Sequence, residues 1–181
     1  MRNSEATVVR GARPEDAEAM RAIYAPYVLR TAVSFEYDVP TAAEFRARVE
    51  KTLGTHPWLL AEEAGEVLGY SYAGVFKPRA AYGRCVGTSV YVREDSRGRG
   101  LGRMLYEALE ARLKARGILN LNACITWTDE PDAYLTHASP RFHARLGFAK
   151  AAHFHRCGWK FGRRYDMIRM EKLLPEPSLS D

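Results

Sequence analysis

The sequence predicts a single α/β (α+β) domain built around a mixed sheet, and three observations carry that expectation. The 181 residues are about one domain's worth of chain, and 46% of them are hydrophobic, enough for a sizeable core. Strand-like and helix-like apolar patterns alternate in the order β-α-α-β-β-β-α-β-α-β-β. The clearest helical pattern, Leu101, Leu105, Leu109 and Leu113 with Met104 and Ala108 beside them, follows a strand-like run and a glycine-rich segment.

Thr7 to Arg13 reads as the first strand. Pro14 then stands where the first residue of a helix tolerates a missing N–H, and Ala17, Met20, Tyr24 and Tyr27 follow at helical spacing. Thr41-Ala42-Ala43-Glu44 is a capping box, with Phe45, Val49 and Leu53 as the stripe of a second helix before Gly54. Trp58 to Glu62 and Val67 to Phe76 flank a turn containing Gly65 and read as a hairpin. Cys85 to Val92 is another strand. The leucine-striped helix starts near Gly100 and stops at Gly117. Leu119 to Thr126 follows as a strand and Pro140 to Arg145 as a short helix, with final strands around Ala151 to His155 and Tyr165 to Glu171. No internal repeat is present. The polar, proline-bearing end PEPSLSD predicts a disordered tail, which sets the domain at residues 7–173 and the tail at 174–181.

Lysine and arginine number 27 against 22 acidic residues, a net charge of +5. Such an excess admits nucleic acid, an acidic membrane or a polyanionic small ligand. The arginines recur from Arg10 to Arg169 without a dense block and with acids between them, which argues against a basic nucleic-acid tail. An RNA-binding surface would interleave aromatics with the cations, whereas the aromatics here fall at core-like positions. No apolar run approaches the roughly 20 residues of a membrane span, and MRNSEATVVR has no stretch suited to a signal peptide. Cys85, Cys124 and Cys157 are too few and too scattered for a disulfide framework. The expectation is a reduced, cytoplasmic protein with neither nucleic acid nor membrane as partner.

The segment with most chemistry is Arg97-Gly98-Arg99-Gly100-Leu101-Gly102, between the strand SVYV and the leucine-striped helix. A helix N-terminus offers unpaired N–H donors and partial positive charge, and glycines before it let main chain approach phosphate oxygens closely. RGRGLG therefore reads as a pyrophosphate cradle with Arg97 and Arg99 adding charge. The plainer reading is a basic glycine-bearing loop. Two familiar phosphate motifs are excluded. Gly102 is followed by Arg103-Met104 rather than Lys-Ser/Thr, so no P-loop is present, and the glycine spacing lacks the two-residue gap of a Rossmann fingerprint.

Arg97-x-x-Gly100-x-Gly102, after a strand and before an amphipathic helix, resembles the acetyl-CoA signature of GNAT-type N-acetyltransferases. The likeness extends over about residues 7 to 173. IYAPYV at Ile23, SFEYDVPT at Ser34, PWLLAEEAGEVLGYSYAGVFKPRAAY at Pro57, FHARLGF at Phe142 and KFGRRYDM at Lys160 look like the phosphinothricin and methionine sulfoximine acetyltransferase branch. The resemblance implies a GNAT-like, mostly antiparallel sheet flanked by helices. It implies acetyl-CoA as cosubstrate, no metal, and a homodimer. The main chain of Val90, Tyr91 and Val92 would hold the pantetheine arm, with the Val92 N–H toward the thioester oxygen. Arg97, Gly98, Arg99, Gly100, Leu101 and Gly102 would take the pyrophosphate. Thr136 and Ser139 would lie by the cofactor's sulfur, although relatives often carry Asn where Thr136 aligns. His143 would protonate the departing thiolate, against the plainer reading of a histidine packed within a helix. Phe35, Glu36, Phe76, Arg79 and Tyr82 align with segments bordering the acceptor. There Arg79 could pair with a carboxylate or phosphinate through its planar fork, against the plainer reading of surface arginine and core aromatics.

One departure from the branch bears on mechanism. Relatives carry a glutamate two residues before the Ser or Thr of the cofactor strand; in CVGTSVYV that position is Gly87. Where relatives often read A-Y-D-W, this chain reads Ala81-Tyr82-Gly83-Arg84. Three explanations compete, ranked in this order: water or another carboxylate such as Glu36 serves as base, the amine is more acidic, or catalysis is impaired. His153, His155 and Cys157 alternate on one strand face and could ligate zinc, but no fourth ligand lies nearby and acetyl transfer needs no metal, so none is assigned. The functional expectation is acetyl transfer from acetyl-CoA to the primary amine of a small amino-acid-like molecule of phosphinothricin or methionine sulfoximine type. The alternatives are another amine (aminoglycoside, polyamine or protein N-terminus) or a CoA-binding protein with weak catalysis.

Overall fold

The computed structural model describes residues 6–176. The elements run β1 (Val8–Gly11), a 3-10 turn (Pro14–Asp16), α1 (Ala17–Arg30), α2 (Ala42–Leu53), β2 (Trp58–Glu63), β3 (Glu66–Val75), β4 (Cys85–Val92), α3 (Leu101–Lys114), β5 (Asn120–Trp127), α4 (Ala138–Arg145), β6 (Ala149–Lys160) and β7 (Arg163–Leu173). This is the expected order. The strands form one seven-stranded sheet, β1-β2-β3-β4-β5-β7-β6. Only β4 and β5 are parallel in the registers of β1–β2, β2–β3, β4–β5, β5–β7 and β6–β7. A parallel neighbour needs a crossover, and α3 is that crossover.

The chain clusters into two compact units. The first comprises residues up to Tyr24, Pro40–Gly74 and Ser89–Leu113. In it, β1, β2 and β3 form an antiparallel run against which α2 buries Phe45 and Val49. Tyr24 and Phe45 (6.0 Å), Phe45 and Trp58 (6.2 Å), and Tyr24 and Tyr91 (5.0 Å) pack as ring pairs. The predicted stripe of α3 is the buried one: Leu101, Leu105, Leu109 and Leu113 are at most 2% exposed, and each contributes about 1.5–3 kcal/mol by burial.

The second unit comprises Ala25–Val39, Val75–Thr88 and the chain from Lys114 on. It holds the start of β4, then β5, β7 and β6, with Ala32, Leu135 and Tyr165 as a buried cluster that Phe35 and Tyr134 flank. Pairing of β4 with β5 covers Cys85↔Asn120 to Thr88↔Ala123, whereas β5 pairs with β7 as far as Trp127↔Asp166.

Several boundaries differ from expectation. The helical segment opens with the 3-10 turn, because Asp16 folds back to accept the Arg13 N–H at 2.8 Å, and α1 itself starts at Ala17. α1 also runs on past Tyr27, the last position of the predicted stripe, to Arg30. β6 is much longer than expected, because bulges between Lys150/Ala152 and Phe154/Gly158 let pairing with β7 resume and hide its periodicity. Leu174, assigned to the tail, is buried and donates its N–H to Leu119 O at 2.8 Å. The remainder of the predicted tail, beyond Glu176, lies outside the described residues.

Candidate active site

The start of α3 is built from the first unit alone. A 3-10 turn, Glu94–Ser96, precedes it, and Arg93 braces that turn: its N–H reaches Leu68 O at 2.8 Å, while its guanidinium holds Asp95 at 2.7 Å and Glu66 at 3.0 Å. Gly98 and Gly100 have φ of 78° and 81°, the left-handed region that other residues enter at a cost of about 1–2 kcal/mol. These two turns deliver the main chain to Leu101, where α3 begins, and Met104 N–H closes on Gly100 O at 3.1 Å.

The contrast with α2 is informative. There Thr41 Oγ1 accepts the Glu44 N–H and Glu44 accepts the Thr41 N–H, so the helix mouth carries its own acceptors. At α3, Gly100, Leu101 and Gly102 have no side-chain acceptor, and the first turn contains no acid. Fourteen residues of aligned peptide dipole thus end in N–H donors that an outside anion can satisfy.

The cations are less uniform than the motif suggested. Arg99 is ion-paired with Glu63, whose carboxyl it holds below the usual range. Arg97 is half-exposed, and its pair with Glu94 is long, at 3.9 Å. Val90, Tyr91 and Val92 lie beyond the β4–β5 pairing, on the half of β4 that belongs to the same unit as the cradle.

α4 and the remaining candidates belong to the second unit. Thr136 is exposed and its hydroxyl accepts the Ala138 N–H at 3.3 Å. His143 is 4% exposed, set edge-on between Phe142 and Phe148, and its Nδ1 donates to Ser139 O at 2.9 Å. Burial pushes its pKa below the ordinary value, against the pull of the Ser139 carbonyl. In that tautomer Nε2 carries the lone pair. The expected acid role needs an imidazolium, a form that this burial disfavours, while the bond to Ser139 ties one turn of α4.

The acceptor candidates fall in two groups. Phe76 meets Tyr82 edge-on at 5.8 Å, with the Arg169 guanidinium over its ring at 5.1 Å, and Arg79 is exposed at the start of the 3-10 turn Ala80–Tyr82. Phe35 packs on Tyr165 and covers Gly158 so closely that any side chain there would meet its ring. Glu36 follows, with Oε2 shielded from solvent.

Sequence reasoning missed what holds that second group. Lys160 is 2% exposed, and its ammonium donates to the carbonyls of Val28, Thr31 and Ser34 at 2.7, 3.0 and 2.6 Å. Burial lowers its pKa, with Glu36 acting in opposition. It pins the segment that carries Phe35 and Glu36. Asp132 plays a similar part, accepting N–H groups of Tyr134 and Leu135 and the Tyr165 hydroxyl at 2.7–2.8 Å and pairing with Arg163. Gly87 pairs with Asn122, which pairs on its other side with Glu171. The carboxylate in register with Gly87 across β5 is therefore Glu171, bonded to Asn120 at 3.1 Å.

Residues 9–169 match the family described as Acetyltransferase (GNAT) domain, which makes the chain an acyltransferase. The chain belongs to the GNAT family and is an acetyl-CoA-dependent N-acetyltransferase. It is 39% identical to a phosphinothricin N-acetyltransferase from Alcaligenes faecalis over 93% of this chain and 83% of that one. It is 38% identical to an L-methionine sulfoximine/L-methionine sulfone acetyltransferase from Pseudomonas paraeruginosa, over 90% and 92%. The crystal structure of a phosphinothricin acetyltransferase from Sinorhizobium meliloti in complex with AcCoA superposes with a TM-score of 0.85, at 30% identity, covering 97% of this chain and 92% of that one.

Proposed function

We propose that this enzyme transfers the acetyl group of acetyl-CoA to the primary amine of a small amino-acid-like molecule of the phosphinothricin or methionine sulfoximine type. The observation that carries the cofactor half of this reading is the start of α3, where left-handed Gly98 and Gly100 lead into a first turn whose residues carry no acid. The substrate half is supported by the names of the relatives at 38–39% identity.

In this reading the main-chain N–H groups of Gly98–Gly102 and the Arg97 guanidinium receive the pyrophosphate. Arg99 joins them by exchanging Glu63 for phosphate. The main chain of Val90–Val92 holds the pantetheine arm, with Thr136 and Ser139 near its sulfur end. A neutral amine attacks the thioester carbon, the oxyanion is held by the Val92 N–H, and collapse expels the CoA thiolate. Positioning supplies much of the rate, with solvent or a carboxylate (Glu36 or Glu171) taking the amine's proton. Phe35, Glu36, Phe76, Arg79 and Tyr82 border the acceptor. The reading includes a reducing, cytoplasmic setting, in keeping with reduced Cys85, Cys124 and Cys157. It also includes a homodimer, which exposed Phe154 and Trp159 on edge strand β6 favour. No helix among the described residues is long and apolar enough to cross a membrane.

Gly100→Asp tests the cradle. It puts bulk and negative charge at a left-handed position where phosphate is assigned, and calorimetry should show acetyl-CoA binding weakened by about 2 kcal/mol or more. Unchanged affinity in a folded variant removes the cradle. A thiol-release assay over phosphinothricin, methionine sulfoximine, an aminoglycoside, a polyamine and a peptide N-terminus tests the acceptor. Turnover should be confined to the first two; turnover only elsewhere, or CoA binding without turnover, overturns the assignment.

A further inference from the structure

We propose that His153, His155 and Asp166 form a binding site for one divalent transition ion of the zinc, nickel or copper class, apart from the acetyl-transfer groups. The sequence offered His153, His155 and Cys157 as an alternating trio. The structure brings together the two histidines and replaces the thiol with a carboxylate from the neighbouring strand β7. His153 Nε2 lies 2.7 Å and His155 Nδ1 3.2 Å from the same oxygen, Asp166 Oδ2, and the three ligand atoms all lie within 4.8 Å of one another. Ligands of a tetrahedral zinc ion stand about 3.4 Å apart, so small adjustments convert this convergence into a coordination set.

Three further features favour an ion over a chance contact. The Arg156 N–H donates to Asp166 Oδ1 at 2.6 Å, which fixes the carboxylate and leaves Oδ2 aimed at both rings, as an outer-shell partner does for a ligand. That N–H is available because β6 bulges between Phe154 and Gly158 and Arg156 takes a φ of 50°. Trp127 packs edge-on against His153 at 6.3 Å and restricts its rotation. Finally, burial is graded: the side chains of His153 and Asp166 are 22% and 16% exposed, whereas that of His155 is 73% exposed and can close on an arriving ion. Two imidazoles and one carboxylate suit zinc, nickel or copper better than magnesium or calcium, which prefer oxygen ligands. Cys157 turns away, its thiol donating to Phe154 O at 3.5 Å.

The experiment is calorimetric titration of the chelator-treated full chain with Zn²⁺ alone, beside His155→Ala, Asp166→Asn and Cys157→Ser. One ion per chain should bind, at least tenfold more weakly in the first two variants and equally well in the third. His155→Ala should keep its acetyl-transfer rate. With Cu²⁺, electron paramagnetic resonance should show two nitrogen ligands, falling to one in His155→Ala. If Asp166→Asn does not fold, the exposed His155 and the resonance spectrum decide. Absence of one-site binding, undiminished affinity in His155→Ala, or loss in Cys157→Ser overturns the proposal.

Discussion

Replacing His143 by Asn separates packing from proton donation. Asparagine keeps an N–H near the Nδ1 position and can still bond Ser139 O, but it cannot titrate. His143→Ala loses that bond, worth about 1 kcal/mol, and leaves a void between Phe142 and Phe148, for a total of about 2–4 kcal/mol. For a chain of this length the melting temperature should fall by roughly 5–15 °C. The Asn variant should lose less. The pH dependence has a definite sign. The folded pKa lies below the ordinary 6.5, so the unfolded chain binds more protons, and stability present above pH 6.5 is lost as pH falls toward the folded value. Thermal melts across pH 4–8 should show that decline in wild type and a flatter profile in His143→Asn. In thiol-release kinetics His143→Asn should keep kcat within a few-fold. If it instead loses the roughly 10²–10⁴-fold expected of a general acid, and a titration vanishes from its kcat profile, the packed-histidine assignment is wrong.

Two further outcomes follow from other positions. Gly87→Glu restores a carboxylate beside Asn122 and, if the base is what this chain lacks, should raise turnover of phosphinothricin by up to about 10²–10⁴-fold, most below the amine's pKa. A wild-type rate that is already fast, or no gain despite normal CoA binding, would retire the lost-base explanation. Lys160→Met strands the carbonyls of Val28, Thr31 and Ser34, so denaturant titration should show a loss of about 3 kcal/mol or more, and KM for the amine should rise as Phe35 and Glu36 loosen. Unchanged stability would show that solvent or another donor replaces the ammonium.

The architecture was legible because periodicity reports burial. The leucines of α3 and the Thr41–Glu44 box are local signals, and both elements fall where those signals put them. The start of α1 was not, since Pro14 suits a 3-10 turn as well as an α-helix and the Asp16 side chain decides. The place of the glycine segment was also legible, because the leucine stripe marks where α3 begins. The fate of its arginines was not, because Glu63 is remote in sequence and only the fold brings it to Arg99. The same holds for Lys160 and Asp166, whose partners are set by which strand turns toward which. Bulges in β6 broke the alternation on which the zinc trio had rested, which is why Asp166 rather than Cys157 meets the two histidines.

Lys160 has a consequence for an enzyme whose trade is modifying amines. A buried lysine with a lowered pKa carries more of the reactive, uncharged form than a surface lysine does, which by itself would favour self-acetylation. Its nitrogen is sealed from solvent, and the carbonyls of Val28, Thr31 and Ser34 take up all the hydrogens an ammonium has to give. An acetyl group there would leave the nitrogen a single hydrogen, so at most one of the three bonds could survive. The residue is thus chemically silent while the fold holds, and amine-reactive reagents would label it only as the chain opens, making it an internal reporter of unfolding.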